Sequence, residues 1–224
     1  MERSVIDAVT LPRPCVVLGS APQPHVPSGA FDVMCVNSSG YAARDLGLPE
    51  PAITVLAGFK LIYPNREEDR QALRGLRTKT LLLVDYLLPL SPAETAQLLA
   101  DLDFRYERLE TVDFHGRARV IESATGLPLA SDAAPELRVS NGIFATCHAL
   151  QLGAPAVIVS GFSLTLNGHF YSQRGRPRRH IGPDTTALQA LRERGWPLYT
   201  TETDIADATG IPLWTTAALD STPA

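Results

Sequence analysis

The segment from Arg138 to Tyr171, RVSNGIFATCHALQLGAPAVIVSGFSLTLNGHFY, holds the densest set of residues able to bind a ligand. Ser140 is an N-cap residue, and Gly142 in the following turn leaves little bulk in front of the backbone N–H groups that open a helix. Free donors and the positive end of the helix dipole suit an anion. Two further candidates lie upstream, the small-residue loop Gly19-Ser20-Ala21-Pro22 and the polar cluster Asn37-Ser38-Ser39-Gly40, each following a short apolar run. A glycine turn after a first strand delivers the nucleotide loop in Rossmann-like sheets, but no G-x-G-x-x-G is present, so a plain turn stays open. Asn37 either hydrogen-bonds a ligand or starts a turn. Asp101-Leu102-Asp103 has the spacing of carboxylates that can hold a divalent cation, yet it closes a helix, so surface carboxylates and no metal are expected. Arg174, Arg176, Arg178 and Arg179 form a basic patch that could bind an anionic acceptor or a membrane surface, or stay solvated.

The elements that must position these groups follow from periodicity. Cys15 to Leu18, Asp32 to Val36, Ala52 to Leu56, Lys79 to Asp85 and Ala156 to Val159 read as buried strands, and Pro197 to Thr200 as a last one. Helices are expected over Tyr41 to Leu46, Arg66 to Arg77, Ser91 to Leu102, the stretch after Ser140, Asp184 to Arg194, and Thr203 to Gly210. Ser91-Pro92-Ala93-Glu94 is a capping-box start, and Asp184-Thr185-Thr186 reads as the cap of its helix. Phe104 to Pro135 reads as irregular or hairpin structure, carrying His115, Arg117 and Arg119. Alternating strands and helices imply one α/β domain over residues 1–224, a Rossmann-like, mostly parallel central sheet flanked by helices, with a mobile lid at about 162–183. The loops beyond the carboxyl ends of the strands, Ser160 to Tyr171 foremost, are where a ligand belongs.

Composition narrows the function classes. The chain has 224 residues, 45% of them hydrophobic and 20% charged, which is ordinary for a globular domain and excludes wholesale disorder. A net charge of −4 argues against a general nucleic-acid binder. Cys15, Cys35 and Cys147 lie in apolar runs at no metal-ligand spacing, as buried reduced thiols would. The start MERSVIDAV lacks the apolar run of a signal peptide, and no 18-residue apolar stretch occurs. A cytoplasmic protein is expected, with the inner face of a membrane as an alternative station.

In this order and spacing, the motifs resemble the bacterial sialyltransferases of the Campylobacter/Haemophilus type. Gly19-Ser20-Ala21-Pro22 stands where that family has Gly-Asn-Gly-Pro, and Phe31-Asp32-Val33 leads to Asn37 as its second strand leads to a donor-contacting asparagine. Arg138-Val139-Ser140-Asn141-Gly142-Ile143-Phe144 is similar to the family's Arg-Ile-Thr-Ser-Gly-Val-Tyr. Leu152-Gly153, Ser160-Gly161, Asn167-Gly168, Tyr171, Ile181-Gly182 and Ala187-Leu188 follow in the family's order, so the likeness covers the chain outside its middle third. It implies a GT-A-like sialyltransferase variant, a glycosyltransferase that moves a sialic-acid-like or other nonulosonic sugar from a CMP-sugar to a glycan acceptor. Transfer would be inverting, with no metal and no cofactor besides the CMP-sugar substrate. Gly19, Ser20, Ala21, Asn37, Ser140, Asn141, Gly142 and Thr165 would bind the donor, and Arg138, Tyr171 and His180 would act in catalysis. Cell-surface polysaccharide synthesis would be the setting, with peripheral membrane association and homo-oligomers left open and no nucleic-acid partner.

Two positions depart from the family. Thr165 stands where the first of two phosphate-contacting lid tyrosines is expected, Tyr171 matching the second. Pro183 follows Ile181-Gly182 where the family places its catalytic histidine. His180, just before Ile181, becomes the candidate base, His169 the next, and Asp184 a carboxylate substitute. These departures keep two alternatives alive: a CMP- or nucleotide-binding relative without transfer activity, and another nucleotide-dependent transferase on the same fold.

Overall fold

The computed structural model describes residues 9–85, 90–128, 138–172, 174–175 and 177–215. One sheet runs through the chain. Its strands are β1 (Cys15–Leu18), β2 (Asp32–Val36), β3 (Ile53–Ala57), β4 (Arg77–Val84), β5 (Arg105–Val112), β6 (Val157–Ser160) and β7 (Leu198–Thr200), in the spatial order β5-β4-β3-β2-β1-β6-β7. Every pairing is parallel, so the sheet is wholly rather than mostly parallel among the described residues. Four strands step from β1 to one edge, and the chain then returns to the other side of β1. The switch point therefore lies between β1 and β6, whose register pairs Leu18 with Ser160.

Alternation along the strands sends side chains to opposite faces. Cys15 and Val17 of β1, Met34 and Val36 of β2, and Val157 and Val159 of β6 join the core under α5 (Phe114–Thr125), α6 (Asn141–Gln151) and α7 (Ile181–Glu193). Val16, Leu18, Val33, Cys35 and Ile158 face the other way, against Ala42 and Ala43 of α1 (Gly40–Asp45). Farther along that face, Leu56, Leu81 and Leu83 meet Leu61 of α2 (Phe59–Ile62), Leu73 of α3 (Glu67–Leu73) and Leu99 of α4 (Pro92–Asp101). Burying each such side chain contributes about 1.5–3 kcal/mol, and the result is three layers with the sheet in the middle. α6 is buried at every residue from Asn141 to Leu150, which makes it the central helix of its layer.

Local chemistry explains the helix ends. Ser91 accepts from the Glu94 N–H while Glu94 returns a bond to Ser91, the capping box expected from sequence. Ser140 caps α6 by accepting from the Ile143 N–H at 3.4 Å. Two expectations are corrected. Phe104 to Thr125 is regular, an edge strand followed by a helix whose N-cap Asp113 accepts from the Gly116 N–H at 2.6 Å. The polar, outward-facing residues of β5 hide its alternation. The remainder of that stretch, 129–137, lies outside the described residues. The second correction concerns α7, which begins at Ile181 with His180 as N-cap residue, so Asp184 sits inside its first turn rather than capping it. The last helix, α8 (Thr203–Thr209), ends at Gly210 as expected.

Candidate active site

The loops after β1 and β6 cross backbone against backbone at the switch point. Gly19 N–H donates to the Ser160 carbonyl and Ala21 N–H to that of Gly161, each at 2.8 Å. A Cβ on Gly19 would collide with the Gly161 carbonyl and the Phe162 ring. Gly142, in the first turn of α6, meets the other edge of the same ring, and a Cβ there would also overlap it. Phe162 is thus wedged between the β1 loop and the start of α6, and it fills the space that Gly142 was expected to leave for a ligand. It also joins the two halves of the candidate site.

The first half surrounds the α6 N-terminus. Asp184 Oδ1 accepts the Ser140 N–H at 2.7 Å, so the protein places its own carboxylate at this helix start. Burial pushes the Asp184 carboxyl up to about 6, against the opposing effects of Ser140 and the guanidiniums of Arg117 and Arg178. The His180 carbonyl accepts the Asp184 N–H at 2.9 Å, and the His180 side chain puts Nδ1 2.6 Å from the Arg138 carbonyl. A carbonyl only accepts, so Nδ1 carries the proton and Nε2 is the acceptor nitrogen. Burial lowers the His180 pKa below its usual value, the Arg138 carbonyl opposes this, and Arg117 and Arg179 add to the lowering. The shift favours the neutral imidazole. The Arg138 guanidinium lies over the Phe114 ring at 5.3 Å.

Arg117 was named in the sequence only as part of an irregular stretch, yet it organises this half. It is 3% exposed, and its guanidinium donates to the carbonyls of Val139 at 2.6 Å and Ser140 at 3.0 Å and to Asn141 Oδ1 at 3.3 Å. It therefore fixes the turn that delivers Ser140 and the Arg138 carbonyl. The helical spacing of Ala118, Ile121 and Ala124 is the signal that could have placed Arg117 on a helix.

The second half lies over the ends of β1, β2 and β3. Ser20 Oγ and His169 Nδ1 share a 2.9 Å hydrogen bond, and His169 stacks on Tyr171 with ring centroids 5.2 Å apart. The Tyr171 hydroxyl donates to Asp69 Oδ1 at 2.6 Å. Asp69 is fully buried and also paired with Lys60 and Arg66. Asn37 has a left-handed backbone, φ 55°, and its Oδ1 accepts the Ala57 N–H at 3.1 Å, tying the end of β2 to that of β3. No sequence spacing points to Asp69, because Lys60 and Tyr171 meet it only through the fold.

The segment expected to form a lid bridges both halves. Ser163 and Thr165 donate their hydroxyls, and Leu164 and Thr165 their N–H groups, to Asp204 Oδ2 at 2.8 to 3.2 Å. Burial would raise the Asp204 pKa, but these bonds outweigh it and hold the carboxyl below its usual range. The Thr165 hydroxyl thus serves the loop, apart from the Ser140 group. Arg174 pairs with Glu68 at 2.8 Å, and Arg178 Nε donates to the Leu166 carbonyl at 3.0 Å. Residue 176 lies outside the described residues.

No metal-binding cluster of three or more His, Cys, Asp or Glu side chains occurs among the described residues. Asp101 accepts from Gln97 at 2.8 Å and Asp103 pairs with Arg105 at 3.1 Å, so both are engaged at the surface. No described helix is long and apolar enough to cross a membrane.

No family model matches the chain, and no curated protein matches its sequence. Solved structures do match in shape. The α-2,3-sialyltransferase Cst-I of Campylobacter jejuni shares the fold with a TM-score of 0.56 at 12% identity, over 95% of this chain and 83% of its own. The sialyltransferase CstII of the same organism, bound to cytidine-5'-monophosphate, gives 0.57 at 14% identity over 95% and 88%. A CST-II structure with a trisaccharide acceptor and CMP gives 0.55 at 12% identity over 95% and 89%. At such identities the likeness establishes a common fold.

Proposed function

We propose that the chain is a sialyltransferase-like glycosyltransferase that moves a nonulosonic sugar from a CMP-linked donor to a glycan hydroxyl. The observation that carries the proposal is the placement of His180, Arg138 and Asp184 around the start of α6, at the switch point of a fold that Cst-I and CstII share. Two of the CstII structures held CMP, one of them with a trisaccharide acceptor, which supports a nucleotide-sugar donor and a glycan partner here.

The chemistry follows from the groups present. The acceptor oxygen attacks the anomeric carbon of the sugar as the bond from that carbon to the phosphate oxygen breaks, and CMP leaves with the bonding electrons. The acceptor's proton passes to Nε2 of His180, whose tautomer the Arg138 carbonyl sets. Direct displacement inverts the anomeric configuration. CMP is a good leaving group, and hydrogen-bond donors stabilise the charge growing on it, so the mechanism calls for no metal. In this reading Gly19, Ser20, Ala21 and Asn37 would form the floor of the donor site beyond β1 and β2, Ser140 and Asn141 its wall, with Gly142 covered by the Phe162 ring, and Tyr171 and Thr165 the covering loop. Tyr171 would exchange its bond to Asp69 for one to the donor.

A thermal-shift panel of CMP, UMP, AMP and S-adenosylmethionine tests the nucleotide. A ligand at 100 times its Kd stabilises the native state by about 2.7 kcal/mol, so CMP at millimolar concentration should raise Tm by several degrees while the others do not. Equal shifts from all four, or none from CMP, contradict the proposal.

A further inference from the structure

We propose that Arg178 anchors an oxyanion of the bound donor, its phosphate or its carboxylate. This rests on the CMP-sugar reading above and adds a subsite to it.

The donors expected to meet such a charge are already engaged within the protein. Ser140 N–H is taken by Asp184, the Thr165 hydroxyl by Asp204, and the Tyr171 hydroxyl by Asp69. Arg178 differs from them. Its Nε donates to the Leu166 carbonyl, which fixes the plane of the guanidinium, but its Nη2 is buried with no hydrogen-bond partner among the described residues. A buried donor left without an acceptor is costly, and in a native structure it marks a missing partner. The side chain is half-buried, and the ionisable groups acting on it are Asp184, Asp204 and Tyr171. It is thus within electrostatic reach of groups from both halves of the site, Asp184 of the first and Tyr171 of the second.

Simple neutralisation of the two aspartates does not account for it. Asp204 Oδ2 is filled by donors from residues 163–165, Asp184 Oδ1 holds the Ser140 N–H, and no ion pair from Arg178 to either occurs among the described residues. A planar guanidinium with one edge fixed and the other lacking an acceptor fits two oxygens of a phosphate or carboxylate.

Titration calorimetry on wild type, Arg178→Gln and Arg178→Lys, with pyrophosphate, CMP, cytidine and N-acetylneuraminate as probes, tests this. A phosphate anchor predicts that Arg178→Gln weakens CMP and pyrophosphate at least tenfold and leaves cytidine unchanged. A carboxylate anchor predicts that N-acetylneuraminate weakens tenfold while CMP is retained. Arg178→Lys should recover only part of either loss, because the fork is absent. Equal affinities of Arg178→Gln and wild type for every probe overturn the proposal, as does a uniform loss that includes cytidine. Arg178-dependent pyrophosphate binding without preference for CMP over UMP would keep the anion subsite and refute the CMP reading.

Discussion

The Asp184 carboxylate accepts the Ser140 N–H at 2.7 Å, across 44 residues of chain, and so occupies the helix start that the sequence offers to a ligand. Its folded-state pKa of about 6 lies above the model-peptide value of 3.8, so folding disfavours the charged form. The native state holds this proton more tightly, and stability from this group falls as pH rises from near 4 to near 6, then levels off. Asp184→Asn removes that titration. Urea unfolding at pH 4 and pH 7.5 should show the variant gaining on wild type by roughly 1–3 kcal/mol between the two conditions. A difference that does not change with pH contradicts the assignment.

Arg117 supports the same corner from below. Arg117→Met keeps much of the side-chain bulk but strips donors from the Val139 and Ser140 carbonyls in a buried setting. Denaturant unfolding should show a loss of roughly 2–4 kcal/mol. Arg119→Met, at an exposed position on the same helix, should stay within about 0.5 kcal/mol of wild type. Similar losses in both would remove the organising role given to Arg117.

All three cysteines are buried free thiols. Desolvation raises the thiol pKa of all three, to about 12 for Cys35 and Cys147 and further for Cys15. Native protein at pH 8 should therefore resist iodoacetamide for hours, and unfolded protein should label at three sites. Rapid labelling of any cysteine in the native state refutes this.

His180 should leave a mark on the pH–rate profile of sugar transfer. In the proposed role of base, with burial lowering its pKa from the usual imidazole value, it would act when unprotonated, so kcat/KM should fall on the acid side and be flat toward pH 8. His180→Gln keeps a donor for the Arg138 carbonyl and should cost about 100-fold or more in kcat. Asp184→Asn should retain the His180 limb. Full activity in His180→Gln, with the acid limb lost only in Asp184→Asn, would transfer the base role to Asp184.

Much of the scaffold was legible because its central strands are buried on both faces and therefore read as apolar runs. Ser91 and Ser140 likewise announced their helices through local hydrogen bonds. What stayed hidden depends on contacts remote in sequence. β5 is an edge strand with polar residues facing outward, so no apolar run marks it. Asp69 and Phe162 gained their positions from the crossing of β1 and β6 and the path of residues 162–172, which no spacing encodes. Likewise, Ser140, Thr165 and Tyr171 were recognisable as donors, but their internal carboxylate partners were not.

The central claim, a CMP-linked donor, is tested most directly by the initial rate of CMP release from CMP-N-acetylneuraminate in the presence of a galactose-terminated oligosaccharide and EDTA. The account predicts acceptor-dependent release well above spontaneous hydrolysis, undiminished by the chelator, with a product of inverted anomeric configuration. Release no faster than without enzyme, with or without divalent cations, from a protein that binds CMP no better than UMP would contradict it.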